Sequence, residues 1–153
     1  MTHWLIVRTD FRKEQAVAVQ IGKKGFPVWV PVEKVVQRHP GARRHMDISN
    51  THLPPKDRPI CPSLLFAAVP LDEIDRILGL RDLDKVEQTS EGTWARVPDD
   101  QVTRFRKAID AENAAAMALY QTTGKRNKKR WRSLQDALME LVEGAKQTME
   151  QAA

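Results

Sequence analysis

Hydrophobic residues follow two patterns along this chain: short uninterrupted runs in the first two thirds and a stripe at helical spacing near the end. The longest of the runs in the first two thirds lies at residues 64–69, between Pro62 and Pro70. Its apolar side chains would point to both sides of an extended chain, so both faces need cover. The run is also too short for a typical helix, which predicts an inner strand of a small sheet.

The segments before this run predict a strand, a helix and a second strand. Bulky and β-branched residues at 4–9 are typical of a strand. Residues 12–21 have helical apolar spacing, and Gly22 follows as a left-handed stop. Residues 26–36 are rich in valine and predict an extended strand, whose prolines suit a sheet edge.

Three further elements follow the central run. Helical spacing at 71–78 predicts a short helix, residues 84–97 predict a hairpin around 90–92, and a helix begins near Pro98. The element order is β-α-β-β-α-β-β-α. It predicts an α+β fold, a small antiparallel sheet with about three helices, followed by a C-terminal amphipathic helix.

Residues 37–59 fit no regular pattern. They contain four prolines, three histidines and the basic pair Arg43 and Arg44. Long irregular segments inside compact domains are uncommon and are often functional. We therefore expect a long loop or flap here.

The composition changes after residue 111. Residues 125–132 carry six cations around Trp131, and from Ser133 an apolar stripe recurs at helical spacing. We divide the chain into a domain at 1–111, a helix extension and basic linker at 112–132, and the C-terminal helix at 133–153. The stripe consists of Leu134, Leu138, Leu141, Val142, Ala145 and Met149.

Composition sets the limits on size and location. The 153 residues suffice for one modest core, and the net charge of +5 favours an acidic partner such as nucleic acid, a membrane surface or an acidic protein groove. The single cysteine, Cys61, excludes an internal disulfide. No stretch is apolar enough to span a membrane and the start is too short for a signal peptide, so we expect a cytoplasmic protein.

Short motifs suggest alternatives to be weighed. Gly22 and Gly25 match the Gly-x-x-Gly loop of KH modules, but Pro27 demands extended chain where that module has a helix. Lys24-Gly-Phe26 matches the opening of the RNA-recognition motif. A stand-alone RNA- or DNA-binding module with an RNA-recognition-like sheet therefore remains an alternative.

Nothing in the sequence carries catalytic or metal chemistry with specificity. The histidines and Cys61 fit no zinc pattern, and Cys61 with His45 or His52 is the one candidate nucleophile and base. A cysteine is most often a small buried hydrophobe. We expect no enzyme activity, no metal and no cofactor.

Several segments together resemble the NusG N-terminal domain family of transcription elongation factors. They are Trp-Leu-Ile-Val at 4–7, Val-Pro-Val-Glu at 30–33, Arg-Pro-Ile-Cys-Pro-Ser-Leu-Leu-Phe at 58–66 and Val-Pro-Asp-Asp-Gln-Val at 97–102. The resemblance covers roughly residues 3–111. Its most specific parts are Val-Pro-Val-Glu and Arg-Pro-x-x-Pro.

The resemblance implies a partner. Domains of this family bind RNA polymerase by laying an apolar surface on the clamp helices of the largest subunit, and they bridge the DNA cleft to the opposite pincer. The family's Phe-Pro-Gly-Tyr segment falls on residues 61–64, where its glycine and tyrosine are replaced by Ser63 and Leu64. The implied polymerase contacts are Trp4, Leu64, Phe66 and Val86 for the clamp, and Asp75 and Arg76 for the opposite pincer.

Cations are the expected nucleic-acid contacts, because phosphate binding needs positive charge within reach. In the family's docking, one group could reach upstream DNA, and the basic segment could hold RNA or DNA by charge and stacking. The first group is Arg12, Lys13, Lys23, Lys24, Arg43 and Arg44; the second is Lys125, Arg126, Lys128, Lys129, Arg130, Trp131 and Arg132.

The end of the chain departs from housekeeping members of the family, which carry a small β-barrel, the KOW domain. No glycine-rich, strand-patterned segment of that kind follows residue 111. We expect a specialised paralogue that acts in processivity or antitermination and is monomeric when free. Three helices should leave an apolar strip at Leu64 and Phe66 partly open. The C-terminal helix either packs on its own domain, covers that strip as an autoinhibitory element, or docks on another factor.

Overall fold

A computed structural model describes residues 2–38, 52–123 and 128–147. These residues form a five-stranded antiparallel sheet, a separate two-stranded sheet and four α-helices, which confirms the α+β class. The strands are β1 (His3–Thr9), β2 (Val28–Trp29), β3 (Val32–Arg38), β4 (His52–Pro59), β5 (Leu64–Ala67), β6 (Leu83–Val86) and β7 (Arg96–Pro98). The helices are α1 (Glu14–Lys23), α2 (Asp75–Leu78), α3 (Asp99–Thr123) and α4 (Lys128–Gln147), and a 3₁₀ turn at Leu71–Glu73 precedes α2. None of the helices in these ranges is long and apolar enough to cross a bilayer.

Strand β5 is an inner strand, as its double-sided apolar run predicts. It lies between β2 and β1, and Leu5 of β1 pairs with Ala67. Strands β6 and β7 share the other edge of β1 and pair with its opposite ends. The predicted turn around 90–92 is present, with the Thr89 N–H donating to the Thr93 carbonyl at 2.7 Å. Its two arms, however, pair with β1 and meet each other only at a bridge between Gln88 and Trp94.

Alternate residues of β1 and β5 build two apolar layers on opposite faces of the sheet. The first layer joins the sheet to α1 and α2, and the second joins it to α3 and α4. The first contains Leu5, Val7, Leu65 and Ala67 with Val17, Ile21, Ile74 and Ile77. The second contains Trp4, Ile6, Leu64 and Phe66 with Val102, Ile109, Trp131, Leu138, Val142 and Ala145.

The prediction of a loop at 37–59 is wrong for the residues of this range that the structure describes, 37–38 and 52–59. Strand β4 pairs with β3 from Val32 opposite Pro59 to Arg38 opposite His52, and residues 39–51 lie outside the described ranges. A two-stranded ribbon has two free edges, and a proline can lie on such an edge without breaking a ladder hydrogen bond. The proline content that suggested a loop is thus compatible with an edge strand.

Three boundaries also differ from prediction. The extended segment at 26–36 is divided between two sheets, since β2 pairs with β5 and β3 pairs with β4. Helix α1 is followed by a left-handed residue at Gly25, with φ of 91°, rather than at Gly22. Helix α4 begins at Lys128, so part of the expected basic linker is helical.

Candidate functional site

The sheet face expected to be partly open is closed in this arrangement. Leu64, Phe66 and Ile6 have no exposed surface and Trp4 is 5% exposed. We call these four residues the covered face. The cover is supplied by α3 and by the apolar stripe of α4, in which Leu138 and Val142 are completely buried. The expectation of an open strip is therefore wrong here, because a fourth helix supplies the cover that three could not.

Two aromatic contacts fix the geometry of the covered face. The Phe66 ring stacks on Trp29 with 5.3 Å between centroids and 24° between planes. The Trp4 indole Nε1 donates a hydrogen bond of 2.8 Å to the Asp99 carboxylate, at the first residue of α3. Stacked rings and a bonded indole have little rotamer freedom, so the face has a defined shape.

A buried carboxylate lies where the end of α4 meets the sheet. The Glu87 side chain is 6% exposed, and it lies 3.2 Å from Arg8 Nε, 3.3 Å from Lys146 Nζ and 3.6 Å from Lys85 Nζ. Burial alone would raise the pKa of Glu87, but its hydrogen bonds and charge interactions, foremost those with Lys146, outweigh burial and lower it. Glu87 is thus a carboxylate with three cationic partners, of which α4 supplies one.

Cys61 lies against the backbone of α4. It is 3% exposed, and its Sγ is 3.9 Å from the carbonyl oxygen of Gln135. Burial raises the pKa of the Cys61 thiol to about 11, against the opposing charge of Arg8. The thiol is therefore protonated and shielded, which is unsuitable for a nucleophile.

Of the four predicted clamp contacts, the structure brings three together. Trp4, Leu64 and Phe66 share the covered face, whereas Val86 lies in the opposite layer and pairs with Val7. Val86 points away because its partner Val7 is an odd-numbered residue of β1, and odd-numbered residues of that strand face α1 and α2.

The predicted opposite-pincer residues, Asp75 and Arg76, are exposed on α2. The Arg76 guanidinium forms an ion pair of 2.9 Å with Glu73 and lies 4.9 Å from the centre of the Phe26 ring. Both residues are accessible to a partner, and their role stays a prediction.

The predicted nucleic-acid residues are divided. Arg12, Lys13, Lys23 and Lys24 are exposed at the two ends of α1, and Arg132 is exposed on α4. Trp131 is buried against the covered face, so its ring is not available to stack on a base in this arrangement. Arg43, Arg44, Lys125 and Arg126 lie outside the described residues, as do the side chains of Lys128, Lys129 and Arg130.

One exposed aromatic was missed by the sequence reasoning. Phe11 is 71% exposed, and the Arg12 guanidinium lies 5.1 Å from its ring centre. Arg12 itself adopts a φ of 61°. The signal in the sequence that could have identified Phe11 is its position beside Arg12 and Lys13, between the first strand and the first helix. An RNA-recognition sheet stacks bases on exposed aromatic rings. Phe26 and Phe66 are both buried here, so these two rings do not support that alternative.

Ser63 has the backbone conformation that a glycine would favour. Its φ is 63°, and it stands where the resemblance places the family's glycine. The Ser63 N–H donates to Glu14 Oε1 at 2.7 Å, and its carbonyl accepts from the Thr9 N–H at 3.1 Å. The buried Glu14 side chain thus stabilises the turn that leads into β5, in spite of the substitution.

Asn113 attaches helix α3 to the two-stranded sheet. Its Nδ2 donates to the Val32 carbonyl at 3.1 Å and its Oδ1 accepts from the Lys34 N–H at 2.7 Å. Within the ribbon, Lys34 pairs with Asp57, and Arg58 with Glu33. One side chain therefore bonds the free edge of β3 as a neighbouring strand would.

The described ranges contain no group of three or more His, Cys, Asp or Glu residues that could hold a metal ion. A family model named NusG, described as transcription termination factor nusG, matches residues 2–106. A search of curated proteins finds no significant match. The matched segment includes the whole covered face and ends within α3.

Proposed function

The chain belongs to the NusG family of transcription factors, and we propose that it binds the clamp helices of RNA polymerase through the covered face and promotes processive or antiterminated elongation. Members of this family are not enzymes, and they bind RNA polymerase. In the proposed docking the protein bridges from the clamp across the DNA cleft, which keeps the clamp closed on the nucleic acid. The cytoplasm, where this family generally acts, is the proposed location.

This proposal depends on which part of the chain supplies the covered face and which part supplies α4, the helix that covers it. All four residues of the face lie inside the matched segment, whereas α4 lies beyond residue 106. The face therefore belongs to the part of the chain that is common to the family. Helix α4 also shows that the face accepts a helix with an apolar stripe, which is the form of the proposed clamp partner.

A second contact, with the opposite pincer, is proposed at α2. Asp75 and Arg76 are exposed there, and Leu71 and Leu78 expose 48% and 39% of their surface. Apolar surface flanked by charge is typical of a contact site that is neither core nor fully solvated. The exposed cations at the ends of α1 are proposed to contact the phosphates of upstream DNA.

Terminator read-through by purified RNA polymerase, with and without the protein, tests the proposal. We expect more full-length RNA as the protein concentration rises. We also expect a polymerase that lacks the tip of its clamp helices to lose both the response and the binding. Binding that survives this deletion would show that the contact lies elsewhere.

The proposed α2 contact has its own matched pair of variants. Arg76→Glu reverses a charge on α2, and Arg81→Glu makes the same change at an exposed residue outside it. We expect Arg76→Glu to reduce read-through by severalfold while polymerase binding persists through the clamp, and Arg81→Glu to have little effect. Equal effects of the two variants would remove Arg76 from the interface.

A further inference from the structure

We propose that α4 is a removable cover which competes with the polymerase helix for the covered face, and that the ion pair between Lys146 and Glu87 sets the balance of this competition. The inference rests on the proposed function, since it concerns the regulation of the same face. It assigns a regulatory contact to two residues that the sequence reasoning did not single out.

The first support is the one-sided attachment of α4. Its buried residues, Trp131, Leu138, Val142 and Ala145, lie on a single stripe, while Arg132 and the acids of its other side are exposed. A helix held by one stripe can leave without breaking strand pairing in the sheet. The first apolar layer, which joins the sheet to α1 and α2, contains no residue of α4 and would stay intact.

The second support is the chemistry at Glu87. A buried carboxylate that loses its partner is costly, and such a cost would hold α4 permanently in place. Here Arg8 and Lys85 remain beside Glu87 when Lys146 leaves. The ion pair thus adds to the docking of α4, yet its rupture leaves no unpaired charge in the sheet. This makes release reversible.

The third support concerns the occupant. Release of α4 would remove its share of the cover while α3 stays in place, and it would expose the apolar side chains that α4 buries, which soluble monomers rarely leave in water. The face therefore passes from one apolar helix to another. Helix α4 already shows that a helix with an apolar stripe fits this face. The proposed competing partner is the clamp helix of the polymerase.

Cys61 provides a reporter of release that does not depend on polymerase. It is the single cysteine of the chain, and its Sγ lies at the α4 backbone. Alkylation of the thiol in the full-length protein therefore measures how often the cover opens. Lys146→Gln removes the ion pair, and Lys107→Gln makes the same chemical change at an exposed residue of α3.

We expect Lys146→Gln to raise the alkylation rate of Cys61 by about fivefold, the effect of a partly exposed ion pair on a two-state docking equilibrium. The same variant should tighten the apparent affinity for RNA polymerase by a similar factor, because a larger fraction of the protein is competent to bind. Lys107→Gln should leave both values at those of the unmodified protein.

A locking variant tests the opposite direction. Gln135→Cys introduces a second thiol on α4 at the residue whose carbonyl oxygen lies 3.9 Å from Cys61 Sγ, and a disulfide between the two cysteines would hold the cover down. Formation of the bond is verified by loss of both free thiols. We expect the oxidised protein to lose polymerase binding and a reductant to restore it, with the unmodified protein unaffected by the same treatment.

The outcomes separate this inference from the proposed function. If no variant binds polymerase, including those in which Cys61 reacts faster, the proposed function is wrong. If the locked protein binds polymerase as tightly as the reduced one, or if Lys146→Gln changes neither rate nor affinity, the covering role of α4 is wrong while the function stands. Formation of dimers by Lys146→Gln without tighter polymerase binding would identify a second copy as the occupant and overturn the inference.

Discussion

Replacing Leu138 by alanine measures how strongly α4 is docked. Leu138 is completely buried in the layer between α4 and the sheet. The change removes three carbon atoms from a closed site and leaves a cavity, which costs about 3 kcal/mol in a well-packed core. If α4 opens as a unit, the whole cost applies to its docking, so the ratio of closed to open protein falls on the order of 100-fold.

The matched control lies on the opposite face. Ile77 of α2 is also completely buried, and Ile77→Ala removes a side chain of the same size from the layer that α4 does not touch. Amide hydrogen exchange, read by mass spectrometry segment by segment, separates the two cases. We expect faster exchange confined to α4 and its underlying strands in Leu138→Ala. Ile77→Ala should lower global stability in urea while the local opening of α4 stays unchanged.

The result that refutes this reasoning is uniform behaviour. If every segment loses protection together in both variants, α4 is part of one cooperative unit with the sheet. In that case α4 could not leave the covered face without unfolding the domain. The proposed competition with a polymerase helix would then have no structural basis.

Three further predictions concern polar contacts. The folded-state pKa of Glu87 is lowered, so its ion pairs contribute stability that is present above the unfolded-state pKa, near 4.5, and is lost as pH falls through the lower folded value. Glu87→Gln lacks this contribution at every pH. In an acid titration followed by circular dichroism, this variant should therefore lose less stability than the unchanged protein. Glu14→Ala leaves the partly buried Ser63 N–H without its acceptor, so we expect a loss of about 1–3 kcal/mol in urea denaturation, and an unchanged midpoint would contradict this. Asn113→Ala should accelerate hydrogen exchange of the Lys34 amide by roughly tenfold, the effect of one lost hydrogen bond, and an amide that stays protected would show that another group bonds the β3 edge.

The sequence was sufficient for the architecture where a pattern had one physical meaning. The run at 64–69 had apolar residues on both sides and proved to be the inner strand. The stripe from Leu134 to Ala145 proved to be the buried side of a helix. In both cases the spacing of apolar residues determined which side chains needed cover.

The sequence was insufficient where pairing between distant segments decided the outcome. Nothing local to β6 and β7 shows that both pair with β1, nor that β4 is a strand in spite of its prolines. The opposite orientation of Val86 depends on its register with Val7, which the sequence does not specify. Glu87 and Lys146 are 59 positions apart and meet only because α4 folds back over the sheet.

Strand β5 gives neighbouring residues different evolutionary freedom. Leu65 and Ala67 contact helices of the same domain, so a change in one can be compensated by a change in α1 or α2. Leu64 and Phe66 face α4 and, in the proposal, a helix encoded by another gene. A compensating mutation in α4 cannot restore the fit to that second helix. Substitutions along this strand are therefore expected at Leu65 and Ala67 rather than at Leu64 and Phe66. A duplicated copy of the gene can change its regulation through mutations in α4 while Leu64 and Phe66 stay fixed.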